Sequence, residues 1–221
     1  MANMSFTSDI FEKNKGWLEE RLQEDAHYFD KLAQGQKPEI LWIGCADSRV
    51  PSATITGTSP GEIFVHRNIA NLVVHTDLNL MSVLSYAVNQ LKVPHIVVCG
   101  HYGCGGVSAA MGKDDLGMLN RWILNIRDVY RLHKETLDQI RNPEDQLNLL
   151  IELNVKEQVT NLAETAIIQS AWDKGQTCTI HGWVYDMQSG VLKDLDCTMS
   201  DTSYLDELYK FDFKHPKEEE R

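Results

Sequence analysis

HIVVCGHYGCGG, residues 95–106, runs from a strand-like apolar stretch directly into a glycine-rich turn, and ILWIGCADSR, residues 40–49, has the same arrangement. Uninterrupted apolar stretches rich in β-branched residues are typical of strands that are buried on both faces of a parallel sheet. Because ligand sites in such sheets lie beyond the carboxyl ends of the strands, the polar residues after these two stretches are the first candidates for function.

Three further stretches have strand character: 63–66, 178–181 and 191–192. The last of them follows Gln188-Ser189-Gly190, a turn sequence that predicts a short antiparallel strand at the edge of the sheet. Helical spacing of apolar residues is found over four other ranges: 17–32, 80–91, 119–137 and 155–167. This alternation predicts an α/β fold with a mainly parallel sheet flanked by helices.

Two of the helices carry more specific expectations. The helix that contains residues 155–167 is expected to begin at a capping box formed by Asn154 and Glu157. The N-terminal helix precedes the first strand and has no place in the alternation of strands and helices. We expect it to pack on a partner subunit.

Composition predicts a single soluble domain. The chain has 221 residues, of which 43% are hydrophobic and 24% charged, and its formal net charge is -11. A strongly acidic protein is a poor candidate for binding nucleic acid or an anionic membrane. No apolar run approaches the ~20 residues of a membrane-spanning helix. The polar residues 1–10 do not resemble a signal peptide and the five cysteines are odd in number, which predicts reduced thiols and a cytoplasmic location.

Cys45, His101 and Cys104 are the candidate metal ligands. Cys45 follows the first strand, and the other two follow the third. If these strands are neighbours, two thiolates and one imidazole meet in one crevice, and this set of ligands suits zinc. Three protein ligands leave the fourth tetrahedral position open, as in catalytic zinc sites. The alternative is that each cysteine is a small buried hydrophobic residue, because a single His-x-x-Cys is a weak metal signal.

Asp47 and Arg49 lie two residues apart, directly after Cys45. They could form an ordinary surface ion pair. Beside a zinc-bound hydroxide, the carboxylate of Asp47 could instead accept the hydroxide's proton in a hydrogen bond and direct a lone pair toward the substrate. Arg49 would then keep that carboxylate ionised and oriented.

Cys45-x-Asp47-x-Arg49 followed by His101-x-x-Cys104 resembles the zinc signature of the β-class carbonic anhydrases. The likeness extends to PGEIFVHRNIAN at 60–71 and HGWVYD at 181–186, and it covers roughly residues 36–196. Residues 117–128 and 154–175 are similar to the bacterial branch. The resemblance implies the strand order 2-1-3-4. It also implies one Zn²⁺ per chain and homodimers that build the active site between subunits, often as dimers of dimers.

The same resemblance divides the single domain, residues 1–221, into three parts: an N-terminal helical arm over 1–35, a zinc-binding α/β core over 36–196, and a C-terminal helix and tail over 197–221. It also implies a substrate pocket. Gln36 is similar to the family's substrate-binding glutamine, Phe64 and Tyr86 to its apolar and aromatic walls, and Gly105 to its backbone contact near the substrate.

Trp42, Arg67 and Tyr185 together resemble a trio found in one subgroup of the family. There the trio binds a second bicarbonate away from zinc and favours an inactive state in which the aspartate, here Asp47, becomes the fourth zinc ligand. The alternative is that Trp42 and Tyr185 are core aromatics and that Arg67 pairs with an acid.

The resemblance implies a zinc lyase that reversibly hydrates carbon dioxide to bicarbonate and a proton, inhibited by bicarbonate at low pH. Two alternatives stay open. The same scaffold could hydrolyse a related small molecule such as carbon disulfide or carbonyl sulfide. The chain could also be a non-catalytic zinc protein, in which a fourth ligand closes the metal site.

Overall fold

A computed structural model describes residues 5–213, and the chain divides into two compact units, one ending at Lys37 and the other beginning at Pro38. The first unit contains α1 (Phe6–Glu24) and α2 (Tyr28–Ala33). The predicted single helix over 17–32 is therefore interrupted, because Asp25 ends α1 in an extended conformation and its side chain accepts a hydrogen bond from the backbone of His27. No residue of α1 is buried.

The second unit is built on one five-stranded sheet in the order β2-β1-β3-β4-β5. Its strands are β1 (Ile40–Cys45), β2 (Ile63–Asn68), β3 (His95–His101), β4 (Thr179–Asp186) and β5 (Val191–Asp194). The first four are parallel to their neighbours and β5 is antiparallel to β4. The predicted α/β class, strand order and antiparallel edge strand are confirmed.

The helices of this unit fill the connections between the strands. They are α3 (Ser52–Thr56), α4 (Leu78–Tyr86), α5 (Gly105–Met111), α6 (Leu119–Leu132), α7 (Lys134–Leu137), α8 (Pro143–Ala163) and α9 (Ala166–Asp173). A single π-turn, Ala87–Leu91, extends α4 up to Lys92. None of the helices within residues 5–213 combines the length and the apolar character needed to cross a membrane.

The capping box predicted at Asn154 is wrong. The helix begins eleven residues earlier, where the Asn142 side chain accepts a hydrogen bond from the backbone of Glu144 and Pro143 occupies the first turn. Both features are strong helix-start signals. Asn154 is instead a buried residue in the middle of α8.

The C-terminal helix predicted within 197–221 is not found in residues 197–213. That part contains two single 3-10 turns, Thr202–Tyr204 and Glu207–Tyr209, each started by an aspartate side chain. The buried side chain of Gln169 bonds the backbone of Tyr209 and Phe211, which holds this stretch against α9. Residues 214–221, the end of the predicted tail, lie outside the described part of the chain.

The two faces of the sheet are covered to different extents. A large apolar cluster fills the face against α4, α6, α8 and α9, and β1, β3 and β4 contribute to it. A much smaller cluster of buried residues lies on the other face: Trp42, Val97 and Cys99. Along β1 the side chains alternate between the two faces, and Cys45, the last residue of β1, faces the large cluster, which also includes Cys104.

Candidate metal centre

The candidate metal centre lies where β1 and β3 end. Cys45 is the last residue of β1, His101 is the last residue of β3, and the two strands are parallel neighbours. Cys104 immediately precedes α5. The exposed fractions of the three residues are 6%, 0% and 1%. The sheet therefore brings together the three residues that the sequence predicts as ligands.

Their geometry fits a metal ion. Cys45 Sγ and Cys104 Sγ are 3.9 Å apart, and the ligand atoms of all three residues lie within 4.8 Å of one another. A tetrahedral zinc ion with zinc–sulfur bonds of about 2.3 Å holds two sulfurs about 3.8 Å apart.

His101 supplies an independent indication of a ligand. Its Nδ1 lies 3.1 Å from the carbonyl oxygen of Tyr102, so Nδ1 carries the proton and donates it. Nε2 is left with a free lone pair, and it is buried without a hydrogen-bond partner. Buried polar atoms are rarely unpaired, and a metal ion would satisfy this one.

The two thiols form a tightly coupled pair. The Cys104 thiol donates a hydrogen bond to Cys45 Sγ, which lowers the pKa of Cys45 and raises the pKa of Cys104. Burial alone would lower the pKa of His101, but the neighbouring charge of Cys45 outweighs burial and raises that pKa. The backbone N–H groups of Ala70 and Asp47 also lower the pKa of Cys45. The lowered pKa favours the thiolate form of Cys45, which is the form that binds metal.

The other three cysteines differ from this pair. Burial is the main cause that raises the pKa of Cys99, Cys178 and Cys197, in the case of Cys178 to about 11. Cys104 also has a raised pKa but lies beside Cys45 and His101; outside such a cluster, a neutral buried thiol is a poor metal ligand. None of the three lies in the metal cluster.

Arg49 holds Asp47 in a fixed orientation beside this centre. Its Nε donates to Asp47 Oδ1 at 2.9 Å, its Nη2 donates to Oδ2 at 2.7 Å, and its backbone N–H donates to Oδ1 at 2.9 Å. The side-chain bonds from Arg49 are the main cause that lowers the pKa of Asp47 below its usual range. Asp47 Oδ2 lies 3.8 Å from His101 Nε2. An ionised, acceptor-only carboxylate therefore faces the centre.

Arg67 ties the segment after β1 to β2. Its Nε donates to the carbonyl oxygen of Cys45 at 2.9 Å, and its Nη2 donates to those of Asp47 and Val50 at 2.5 and 3.2 Å. The acid that the sequence offers as an alternative partner is not found among the ion pairs of residues 5–213. Arg67 instead fixes the backbone that carries one ligand and the aspartate.

Trp42 and Tyr185 belong to the small apolar cluster on the same side of the sheet as Arg67. The Trp42 indole lies across Gly44, since a Cβ added there would be 2.3 Å from its Nε1. Gly44 is the register partner of Arg67. The structure thus brings Trp42 and Arg67 to neighbouring positions, with Tyr185 in the cluster beside them.

Comparison with known proteins agrees with this site. The sequence profile of the family described as carbonic anhydrase matches residues 40–192. A carbonic anhydrase of Emericella nidulans is 52% identical over 187 residues, which is 85% of this chain and 82% of the relative. The chain belongs to the β-class carbonic anhydrase family.

Solved structures of β-carbonic anhydrases have the same fold. One of the tetrameric enzymes from Sordaria macrospora matches with a TM-score of 0.82 and 41% identity, covering 86% of this chain and 97% of that one. The Coccomyxa enzyme in complex with acetazolamide matches with a TM-score of 0.86 and 40% identity over 90% of each chain. Family membership makes this chain an enzyme, a carbonic anhydrase, and supports carbon dioxide as its substrate.

The residues predicted as pocket walls of a carbonic anhydrase lie away from the metal centre of their own chain. Phe64 and Tyr86 contact each other, with ring centroids 5.8 Å apart. Phe64 is four residues before Asn68, the register partner of Cys45, and four residues of strand span about 13 Å. Within one chain these two side chains therefore do not line the centre.

The other two residues predicted to contact the substrate are Gly105 and Gln36. Gly105 is exposed at the start of α5, next to Cys104, and nothing lies within 4 Å of the position that a Cβ would take there. Gln36 belongs to the unit that ends at Lys37. Its substrate contact stays a prediction.

The residues that support the metal centre through the segment after β2 were not predicted from the sequence. The segment Ile69–Val73, which follows β2, has left-handed backbone at Ala70 and Asn71, with φ of 63° and 49°. Trp122 Nε1 donates to the carbonyl oxygen of Ile69 at 2.8 Å. Asparagine is enriched at left-handed backbone positions, so Asn71 gives a weak signal in the sequence. Nothing in the sequence marks Ala70 or Trp122.

Proposed function

We propose that this carbonic anhydrase uses zinc, held by Cys45, His101 and Cys104, to hydrate carbon dioxide reversibly to bicarbonate and a proton. The observation that carries the proposal is the buried Nε2 of His101, which has no hydrogen-bond partner. It lies in one cluster with the sulfurs of Cys45 and Cys104, which are 3.9 Å from each other. A bound zinc ion would act as a Lewis acid that lowers the pKa of a water molecule and makes it nucleophilic at neutral pH.

The chain's own residues then have separate roles. Asp47 accepts a hydrogen bond from the attacking oxygen and directs its lone pair toward carbon dioxide. Arg49 keeps Asp47 ionised and holds both carboxylate oxygens, so that little reorientation is needed when the substrate arrives. Arg67 fixes the backbone of Cys45 and Asp47, which keeps ligand and acceptor in register.

Asp47→Asn tests this role. The variant preserves size but changes an acceptor-only group into one that also donates. We expect zinc content to stay at one per chain while carbon dioxide hydration falls about 10²-fold, the usual cost of losing one oriented polar contact in a transition state. Asp128→Asn, which alters an exposed pair with Arg131 on α6, is the matched control and should leave turnover unchanged. Unchanged turnover in Asp47→Asn would refute the role.

We further propose that the active chain is a homodimer, with pairs of dimers forming tetramers, and that Phe64 and Tyr86 complete the partner's site. Their distance from their own centre supports this, because pocket walls about 13 Å away in the same chain serve no substrate there. Apolar side chains on the surface also support it: those of Phe6, Phe11, Trp17, Leu78 and Met118 are exposed. The Sordaria macrospora relatives are tetrameric.

Subunit mixing tests the shared site. Cys45→Ala removes a ligand and Tyr86→Ala removes a pocket wall, so each variant alone should be nearly inactive. In a mixed dimer, one intact centre faces one intact wall, and random mixing should restore about a quarter of wild-type activity if the dimer is symmetric. If wall and centre belonged to one chain, mixing would restore nothing. Light scattering checks that dimers or tetramers are present.

We also propose that Trp42, Arg67 and Tyr185 form a second bicarbonate site that inhibits the enzyme at low pH. Arg67 holds the carbonyl groups of Cys45 and Asp47. Bicarbonate that drew its guanidinium away would release the segment and allow Asp47 to leave Arg49 and become a fourth metal ligand. In the present structure Asp47 is bound to Arg49.

Tyr185→Phe is a cleaner test of this site than Arg67→Ala, because Arg67→Ala removes three backbone hydrogen bonds as well. Wild-type activity should fall steeply below neutral pH, and added bicarbonate should deepen the loss. Tyr185→Phe should weaken the bicarbonate effect. Tyr130→Phe, which removes a surface hydroxyl that donates to Asp138, should not. An unaltered profile in Tyr185→Phe and Arg67→Ala would refute the site.

The comparisons do not favour the two alternatives, a hydrolase of carbon disulfide or carbonyl sulfide and a non-catalytic zinc protein, because the relatives reported above are carbonic anhydrases. Assays with each gas separate the first alternative. Membership of the bacterial-like branch and a cytoplasmic location stay proposals. A phylogeny of the family and fractionation of the source cells test them.

A further inference from the structure

The 69–73 segment, Ile69–Val73, adopts a conformation that its residues do not favour. Ala70 has φ of 63° and Asn71 has φ of 49°. Left-handed backbone costs energy for a residue with a Cβ, and such conformations persist only where the surroundings enforce them. Something outside the segment must therefore hold it.

The Asn68 side chain supplies part of that hold, because it bonds both the N–H and the carbonyl oxygen of Leu72 at 2.8 Å. Three amide side chains of α8, which we call the amide row, add to it: Asn154, Gln158 and Asn161. Asn154 Nδ2 donates to the carbonyl oxygen of Ala70 at 3.1 Å. Gln158 Oε1 accepts from the backbone N–H of Val73 at 2.7 Å, and Asn161 Nδ2 donates to the carbonyl oxygen of Val73 at 3.1 Å. The row thus bonds the segment at both of its ends.

The members of the amide row also bond one another. Gln158 Nε2 donates to Asn154 Oδ1 at 3.2 Å, and Asn161 Nδ2 donates to Gln158 Oε1 at 3.2 Å. Asn154 and Gln158 are only 1% and 2% exposed. Buried amides stabilise a particular geometry only when their hydrogen bonds are made, and a connected row is more rigid than separate contacts.

The opposite side of the 69–73 segment contacts the metal centre. Asn68, which directly precedes the segment, is the register partner of Cys45, and the backbone N–H of Ala70 lies close enough to that thiol to lower its pKa. At the start of α5, directly after Cys104, a Cβ added at Gly106 would lie 3.3 Å from Ala70 Cβ and 2.6 Å from Ile69 Cγ2. The segment therefore lies between the start of α5, which follows one ligand, and the amide side chains of α8.

We propose that the amide row is a positioning element for the metal centre: it enforces the left-handed backbone that directs the Ala70 N–H at the Cys45 thiolate, and so sets how strongly that sulfur donates to the metal. The inference rests on the proposed zinc site. Hydrogen bonds to a ligating thiolate draw charge from the sulfur, and groups that orient or polarise ligands tune metal affinity.

Cobalt(II) in place of zinc makes this effect visible, because sulfur-to-cobalt charge-transfer bands report the donor strength of the thiolates. In Asn154→Leu the Ala70 carbonyl loses its partner. The charge-transfer band should move to longer wavelength, because a thiolate with a weaker hydrogen bond is easier to oxidise. Zinc affinity, measured by chelator competition, should still fall about tenfold, because a ligand that is no longer held in position costs more affinity than the stronger sulfur donor returns.

Gln169→Leu is the matched control. Gln169 is also a buried amide with three hydrogen bonds to backbone groups, those of Ala163, Tyr209 and Phe211, but it lies on α9 away from the centre. Its loss should lower the melting temperature without moving the cobalt band or the zinc affinity. If Asn154→Leu also changed only the melting temperature, the row would be merely structural and the proposal would be wrong.

Two further variants keep the test informative if Asn154→Leu does not fold. Asn161→Ala removes the bonds to Val73 and Gln158 at the partly exposed end of the row but leaves the bond from Asn154 to Ala70, so it should shift the band in the same direction by less. Ala70→Gly, combined with Asn154→Leu, removes the penalty of left-handed backbone. It should return the band and the affinity part of the way toward wild type, and no return would contradict the proposal.

The cobalt spectrum does not depend on carbon dioxide turnover, so the two proposals fail separately. A wild-type protein that shows thiolate bands but does not hydrate carbon dioxide would overturn the proposed function and leave the amide row to be judged by its variants. A wild-type protein that hydrates carbon dioxide, with band and affinity unchanged in both Asn154→Leu and Asn161→Ala, would overturn only the inference about the row.

Discussion

Gly106→Ala should lower the melting temperature of the protein and also alter the geometry of its metal centre. The added Cβ would lie 2.6 Å from Ile69 Cγ2, whereas non-bonded carbons prefer about 3.5–4.0 Å. The Ile69 side chain is β-branched and stiff, and the added Cβ would also lie 3.3 Å from Ala70 Cβ, which can move only with its backbone. Overpacking of this kind costs about 1–3 kcal/mol. The gain from replacing glycine by alanine in a helix offsets about 0.5–1 kcal/mol of that.

The net loss corresponds to a fall in melting temperature of several degrees, at about 2–4 °C per kcal/mol for a chain of this size. Calorimetry of the zinc-loaded protein measures it, and the cobalt spectrum should change because the Ala70 N–H is displaced. Gly105→Ala is the control one residue away, since its Cβ would have nothing within 4 Å; it should melt at or slightly above wild type. A Gly106→Ala protein that behaves like Gly105→Ala would refute the packing described here.

Two further predictions concern parts of the core away from the centre. Gly182→Ala should lower the melting temperature, because its Cβ would lie 2.4 Å from Cys197 Sγ, and adding Cys197→Ala should recover part of the loss; equal effects in the single and double variants would contradict this contact. Burial and the charge of Glu157 raise the pKa of Glu164, despite the opposing charge of His75. The folded protein therefore favours the protonated carboxyl, and it loses stability as pH rises through that raised pKa. Glu164→Gln should therefore match wild type at about pH 4, near the ordinary value of glutamate, and melt higher at neutral pH, whereas a pH-independent difference would refute the assignment.

The sheet was predictable because each strand carries a strong local signal. Uninterrupted apolar stretches at 40–44 and 95–99 gave buried parallel strands, and polar residues directly after them gave the ligands. Cys45 and His101 meet because β1 and β3 are neighbours. The spacing of residues alone did not establish that these strands are neighbours, whereas the family resemblance implied it.

The start of α8 was not predictable from the Asn154-x-x-Glu157 pattern, which also occurs inside helices. Asn142 and Pro143 are the stronger signal, and a search for proline at the first helical position would have found it. The role of Asn154 depends on a contact with Ala70, 84 residues away in sequence. The left-handed backbone of Ala70 is likewise a tertiary effect that no local propensity encodes.

The pocket walls show another kind of limit. Phe64 and Tyr86 can line a substrate pocket only if a second subunit is present, because within one chain the strand register separates them from Cys45. The C-terminal stretch shows a similar dependence on tertiary contacts, since Gln169 on α9 bonds the backbone of Tyr209 and Phe211, and short 3-10 turns take the place of the expected helix.

Carbon dioxide hydration during zinc add-back tests the central claim most directly. Protein stripped of metal is titrated with zinc, and turnover and bound zinc are measured on the same samples, with Cys45→Ala as the control. Turnover should rise in proportion to bound zinc, reach a plateau at one zinc per chain, and be absent from the control. Full zinc loading without turnover, or full turnover in the metal-free protein, would contradict it.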